Sequence, residues 1–228
     1  NDVSSFNPHE KIIDYAVLND EELKKRSMFD KEFLEELSTN SPAPGGGSVA
    51  ALSGSLGASL SSMVAALTHE KKEMLKSKPL MDEIGMEAQN LKDRLSDLIE
   101  EDTKAFNSVI AAMRLPQNTK EEKVYRDTAI QTANKYAIEI PMETAEKCFR
   151  VMQLSEKLVD NGNPNSVSDA GVAAEVALAG VRGAGMNVMI NLSGLEDSSY
   201  VKDILNKINK IINDAQVLHE AIYNKTLL

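Results

Sequence analysis

Tryptophan is absent from the 228 residues, and aromatic residues make up only 4% of them. A core must then be built from aliphatic side chains, and the shortage of aromatics argues against sheet, which favours aromatic and β-branched residues. A single cysteine, Cys148, excludes an intramolecular disulfide and a CxxC metal pair, and it suits a reducing, cytoplasmic setting. No Lys/Arg-rich run with interleaved aromatics occurs and the net charge is −10, which argues against nucleic-acid binding. An anionic ligand would need a local positive cluster. The chain opens without a charged segment followed by an apolar run, so no signal peptide is expected. The histidines, His9, His69 and His219, stand far apart, and no serine triad, metal-ligand spacing or cofactor fingerprint is present. No metal or cofactor is expected.

What remains is helical periodicity between a few Pro/Gly clusters. Residues 1–29 read as a linker and lead-in, and 30–228 as one helical domain. Phe29, Phe33, Leu34 and Leu37 lie near one helical face. The stretch "SPAPGGGSVAALSGSLGASLSSMVAAL" carries no charge from Val49 to Leu67. Its larger residues, Val49, Leu52, Leu56, Leu60, Met63, Val64 and Leu67, step by threes and fours into one predicted apolar stripe. Its serines dilute the hydrophobicity a bilayer span would need, so a buried helix, not a membrane anchor, is expected. A long amphipathic helix ends before Pro116. The next starts near Thr119, which with Glu122 has capping-box spacing, and is expected to kink or end near Ile140 because of Pro141. Ser168 is a predicted N-cap for a second small-residue helix, and Ile204, Ile208, Ile211, Ile212 and Leu218 set the phase of the last. The predicted fold is all-α: a bundle of long antiparallel helices, with the two small-residue-rich helices central or at a dimer interface.

Several positions can carry chemistry. Pro44, Gly45, Gly46, Gly47 and Ser48 lead into a helix whose free N–H groups could meet a ligand, though a tight structural turn explains them as well. No Lys-Ser/Thr pair follows, so this is not a nucleotide loop. Asp102, in "IEEDTKAF", has Leu98 four residues before it and Phe106 four after. It reads either as a desolvated acid/base group or as a solvated member of an acidic run. Lys71, Lys72, Arg114 and Arg126 are the candidate cations. Asn163, Ser168 and Asp169 crowd a turn, and Asn187 and Asn191 share a helix face; polar networking and ligand contact both explain them.

The blocks "SPAPGGGSVAALSGSLGASLSSMVA", "AMRLPQNTKEEK", "GNPNSVSDAGVAA" and "GAGMNVMINL" together resemble the formimidoyltetrahydrofolate cyclodeaminase family, which includes bacterial methenyltetrahydrofolate cyclohydrolases. The blocks occur in the family's order over about Ser41 to Leu192. The opening "NPHEKIIDYAV" resembles the linker that follows the formimidoyltransferase module in the bifunctional enzyme, which implies a C-terminal part of such a chain. The resemblance implies closure of 5-formimidoyltetrahydrofolate to 5,10-methenyltetrahydrofolate with loss of ammonia, in histidine degradation and one-carbon metabolism. It implies Asp102 as the catalytic acid/base, because Asp102-Thr103-Lys104-Ala105-Phe106 matches the family's aspartate context. It also implies a folate substrate, with or without a polyglutamate tail. Lys71, Lys72, Arg114, Arg126 and Arg182 are candidates for holding the tail. A homodimer or higher homo-oligomer, with sites associated with the subunit interface, is expected. Cyclohydrolase activity and a non-catalytic dimerisation module are the alternatives.

Overall fold

The computed structural model describes residues 31–227; the linker reading of residues 1–29 lies outside them. The chain divides into two units at Asn40/Ser41. The first holds α1 (Glu32–Leu37), a short helix that buries none of its residues. The second holds five long helices: α2 (Gly46–Glu70), α3 (Lys78–Met113), α4 (Lys120–Asn161), α5 (Val167–Leu192) and α6 (Ser198–Thr226). Short 3₁₀ turns at Lys72–Ser77 and Pro164–Ser166 precede α3 and α5. No strand occurs among the described residues, so the all-α bundle is what the chain forms. Alternate helices end together, so the chain runs up and down: Asn163 N–H, just past the end of α4, meets Thr68 Oγ1 at the end of α2, and Lys225 at the end of α6 meets Asp160 at the end of α4.

α2 packs against α3, α4 and α5, and it does so with its small residues. Gly47, Ser48, Ala50, Ala51, Gly54, Ser55, Gly57, Ala58, Ser61 and Ala65 are buried. This corrects the predicted apolar stripe: of its seven residues only Val64 is buried, whereas Val49, Leu56, Met63 and Leu67 face outward, Leu56 with 51% of its surface exposed. The physical reason is distance between backbones. A face of Gly, Ala and Ser lets neighbouring helices approach where leucines would hold them apart. Ser55 and Ser61 are satisfied by hydrogen bonds to Lys92 O and Gly57 O. α2 is the one described helix long and apolar enough to cross a membrane, and half of its most apolar window is buried within the bundle.

α5 meets α2 the same way. A Cβ on Gly180 would sit 2.6 Å from Cys148 Sγ and 2.9 Å from the Ala50 carbonyl oxygen. Cys148 is fully enclosed there, and burial pushes its thiol up to about 12, so it packs as a small apolar group. Gly180→Ala therefore tests the seam. Helix propensity favours Ala by about 1 kcal/mol, but the Ala50 carbonyl is backbone and cannot yield. We expect overpacking to prevail, with a net loss of about 1–3 kcal/mol and a lower Tm in a thermal melt.

The caps follow the sequence in one place and depart from it in two. Thr119 and Glu122 form the capping box of α4. Ser168, the predicted cap of α5, lies inside that helix; Ser166 holds the N-cap position and makes no side-chain cap bond, because the Pro164–Ser166 turn already leads the chain into helix. Pro141 neither ends nor breaks α4, which runs unbroken from Lys120 to Asn161. Pro141 cannot donate to the carbonyl four residues before it, at Ala137. That carbonyl instead accepts the side-chain amide of Asn191 from α5 at 2.7 Å, which removes the cost of the missing bond.

Arg94 braces α3 against α4. Its guanidinium donates to Glu101 at 2.6 and 3.0 Å and to Glu143 at 2.8 and 2.8 Å, and these bonds hold the Glu143 carboxyl below the usual range.

Candidate active site

At the end of the bundle where α2 begins, a cavity of about 370 Å³ opens between four helices. Gly45, Gly46 and Gly47 line it from the start of α2. Asp102, Ala105, Phe106 and Val109 come from α3, Asn134 and Ala137 from α4, and Asn187, Ile190 and Asn191 from α5. Asp102 is the only ionisable residue among those that line it.

Gly47 explains why the glycine run stands here. A Cβ at this position would overlap the Asp102 carboxylate, 2.5 Å from its Cγ. The backbone of α2 and the side chain of α3 thus touch, which only glycine permits. Ser48, fully buried, donates its hydroxyl to Asp102 Oδ2 at 2.9 Å, and its backbone N–H also reaches the carboxylate. The first turn of α2 has no side-chain cap of its own, since Gly45 is at the N-cap; Asp102 serves that turn from another helix.

Two effects oppose each other at Asp102. Burial is the larger and raises the carboxyl's proton affinity; the hydrogen bonds from Ser48 lower it, and the net direction is up. The neighbouring acids do not set this. Glu101 is paired with Arg94, and Glu100 is exposed with Lys104 beside it at 3.7 Å. A raised carboxyl in a partly desolvated cleft is suited to taking up and returning a proton.

The three asparagines share one arrangement. Asn134 Nδ2 donates to Gly194 O at 3.1 Å, Asn187 Nδ2 to Gly183 O at 2.9 Å, and Asn191 Nδ2 to Ala137 O at 2.7 Å. A backbone carbonyl only accepts, so each amide's orientation follows from its partner. Each amide keeps its carbonyl oxygen as an acceptor and one N–H as a donor, and the cavity lining holds no cationic side chain.

The cavity gathers Gly45, Gly46, Gly47, Asp102, Asn187 and Asn191 from the sequence-predicted residues, with Ser48 directly behind Asp102 and Pro44 beside the glycines. Asn134 was missed: its signal was a polar residue in register with the buried Ala133 and Ala137. Lys71 and Lys72 are a full helix away, about 36 Å from Gly47 at 1.5 Å per residue. Asn163, Ser168 and Asp169 belong to that far end too. There Asn163 accepts from Asn165 N–H, while Ser168 lines a small apolar pocket with His219. Arg114 caps α3 just beyond the cavity and Arg126 donates to Met113 O. Arg182 is exposed and bonded to Gln216. A larger groove, about 580 Å³, lies between α2 and α3 near the far end. There His69 pairs with Asp82 and Gln89 with Ser62, and no buried carboxylate faces it.

The sequence profile described as formiminotransferase-cyclodeaminase matches residues 30–210. The chain is 39% identical over 191 residues to the methenyltetrahydrofolate cyclohydrolase of Methylorubrum extorquens, covering 84% of this chain and 92% of that protein. It is 34% identical over 217 residues to the formimidoyltransferase-cyclodeaminase of Gallus gallus, covering 94% of this chain and 40% of that protein. The crystal structure of formiminotetrahydrofolate cyclodeaminase from Thermotoga maritima superposes with a TM-score of 0.74 at 28% identity, over 90% of this chain and 95% of that one.

Proposed function

The chain belongs to the formiminotransferase-cyclodeaminase family, whose members are folate-processing enzymes, and from that premise we propose that it is a cyclodeaminase acting on 5-formimidoyltetrahydrofolate. The observation that carries the reading is the single partly buried carboxylate of Asp102 in a cavity with no other ionisable group. The reaction needs one group to serve twice. N10 attacks the carbon of the protonated amidine carried on N5; the N10–C bond forms, the C=N π pair moves onto the exocyclic nitrogen to leave it as NH2, and N10 gives its proton to Asp102. The carbon then holds both N10 and the former amidine nitrogen. Asp102 returns the proton to that nitrogen, the C–N bond breaks, ammonia leaves, and the 5,10-methenyl cation remains. One carboxylate between the two nitrogens performs both transfers. The asparagine carbonyl oxygens suit a reduced pteridine, whose amino and ring N–H groups are donors.

Support for the cyclodeaminase reading comes from the 94% coverage of this chain by the bifunctional relative and from the fold shared with the Thermotoga maritima cyclodeaminase. The chain spans 40% of that bifunctional relative's length, so coupling to a transferase domain is part of the proposal. A second reading, methenyltetrahydrofolate cyclohydrolase, is favoured by the 39% identical relative matched over 92% of its length. There Asp102 would activate water against the methenyl carbon. Ammonia release separates the two. With 5-formimidoyltetrahydrofolate as substrate we expect stoichiometric ammonia and a methenyl chromophore; no ammonia, together with rapid loss of the chromophore from added methenyltetrahydrofolate, would establish the second reading instead. A homodimer, cytoplasmic in setting, completes the proposal. The outward Val49, Leu56 and Met63, seven residues apart on α2, make an apolar stripe suited to a second copy.

A further inference from the structure

Ser48 stands where one hydroxyl can serve both protonation states of Asp102. Its Oγ lies 2.9 Å from Asp102 Oδ2 and 3.3 Å from the carbonyl oxygen of Ile99, one turn earlier on α3. A hydroxyl has one proton and two acceptor lone pairs, so it cannot donate to both oxygens at once. When Asp102 is ionised, the charge-assisted bond to Oδ2 is the stronger. When Asp102 is protonated on Oδ2, that oxygen becomes the donor, and the Ser48 proton has a second acceptor waiting at Ile99 O. The Ser48–Oδ2 contact is therefore a hydrogen bond in both states, and the change between them requires only rotation of one O–H.

We propose that Ser48 is a positioning residue for the proton-transfer cycle: its hydroxyl turns between Asp102 Oδ2 and Ile99 O as the carboxyl gives up and takes on its proton, holding the side chain in one place throughout. This rests on the reading of Asp102 as the acid/base group. A residue that must act first as base and then as acid, without moving between the two steps, needs such a partner. Ser48 is fully buried, so water cannot substitute for it. Oδ1 has no side-chain partner among the described residues and lies against the backbone of Gly47.

The electrostatic surroundings let the effect be isolated. α2 brings no charged residue between Gly46 and Thr68. α4 and α5 face the cavity with Asn134, Ala137, Asn187, Ile190 and Asn191, all uncharged. On α3, Glu101 is held by Arg94 and Glu100 stands near Lys104 in solvent. Removing the Ser48 hydroxyl therefore changes hydrogen bonding at Asp102 without changing any nearby charge.

The test is Ser48→Ala, with Ser48→Thr as the variant that restores a hydroxyl. The Asp102 carboxyl is followed by carbon NMR in aspartate-labelled full chain, assigned by its absence in Asp102→Asn, alongside the pH profile of kcat. The ionised form loses a charge-assisted donor while the neutral form loses a weaker one, so the midpoint should rise by about one pH unit. The base form is the one that starts the reaction, so the fall in kcat toward acid should move to higher pH by the same amount, and Ser48→Thr should reverse both. A midpoint in Ser48→Ala that stays at the wild-type value overturns the proposal, whether or not the threonine variant folds. A midpoint that rises while the kcat profile stays fixed upholds Ser48's hold on the carboxyl and counts against Asp102 as the acid/base group.

Discussion

Asp102→Asn is expected to lower kcat by about 10²–10⁴-fold, the usual contribution of a positioned acid/base group, while the bundle stays folded. Asparagine has the same shape, and its Oδ1 can still accept the Ser48 hydroxyl that Asp102 accepts at 2.9 Å. What it lacks is a carboxyl that exchanges a proton between two nitrogens. Stability should move in a direction of its own. Burial raises the Asp102 carboxyl above its ordinary range, so the native chain holds the proton at pH values where the unfolded chain has released it. Stability from this group is present at low pH and is lost as pH rises through the raised native value. Asparagine does not titrate, so the stability of Asp102→Asn relative to the wild type should increase from pH 4 to pH 7 in urea melts. A variant that turns over normally would remove Asp102 from the chemistry, and one that fails to fold would make it a capping residue for α2.

Gly47→Ala should be the other severe change, though a methyl group is all it adds. Its Cβ would be placed inside the Asp102 carboxylate, 2.5 Å from Cγ. Either the carboxylate leaves its rotamer or the first turn of α2 moves away from α3. Both separate Asp102 from Ser48 and from the cavity. A displacement near 1 Å at reacting groups can cost about 100-fold in rate, and overpacking costs about 1–3 kcal/mol. Gly45 gives the comparison, since a Cβ there would be 3.7 Å from Pro42 O, an ordinary contact. We expect kcat for Gly47→Ala to fall about 100-fold or more, and further than for Gly45→Ala. Equal rates for the two variants would mean that the close approach of α2 to Asp102 does not matter.

The helices and their order were legible because periodicity and Pro/Gly breaks are local signals. The orientation of α2 was not. Its leucine spacing gives a clean stripe, and burial normally follows the larger apolar residues, but here the bundle selects the face that lets backbones approach. Pro141 misled for a related reason: the sequence shows the lost N–H, while the amide that replaces it comes from Asn191, fifty residues on. Asp102 was ambiguous by pattern and was singled out by family resemblance; its contact with Gly47 and Ser48 joins positions more than fifty residues apart. The cations could not be sorted by charge alone. Helix length separates Lys71 and Lys72 from the cavity within one chain, since they follow the end of the 25-residue helix that begins there.

A crystal structure with 5-formyltetrahydrofolate, in which a formyl group replaces the amidine on N5, tests the account most directly. We predict that the pteridine lies in the cavity beside Gly45–Gly47, with its N–H groups toward Asn134, Asn187 and Asn191. The Asp102 carboxylate should lie within hydrogen-bond reach of both N10 and the formyl oxygen. A ligand bound instead in the groove lined by His69 and Asp82, with Asp102 out of reach of N5 and N10, would contradict it.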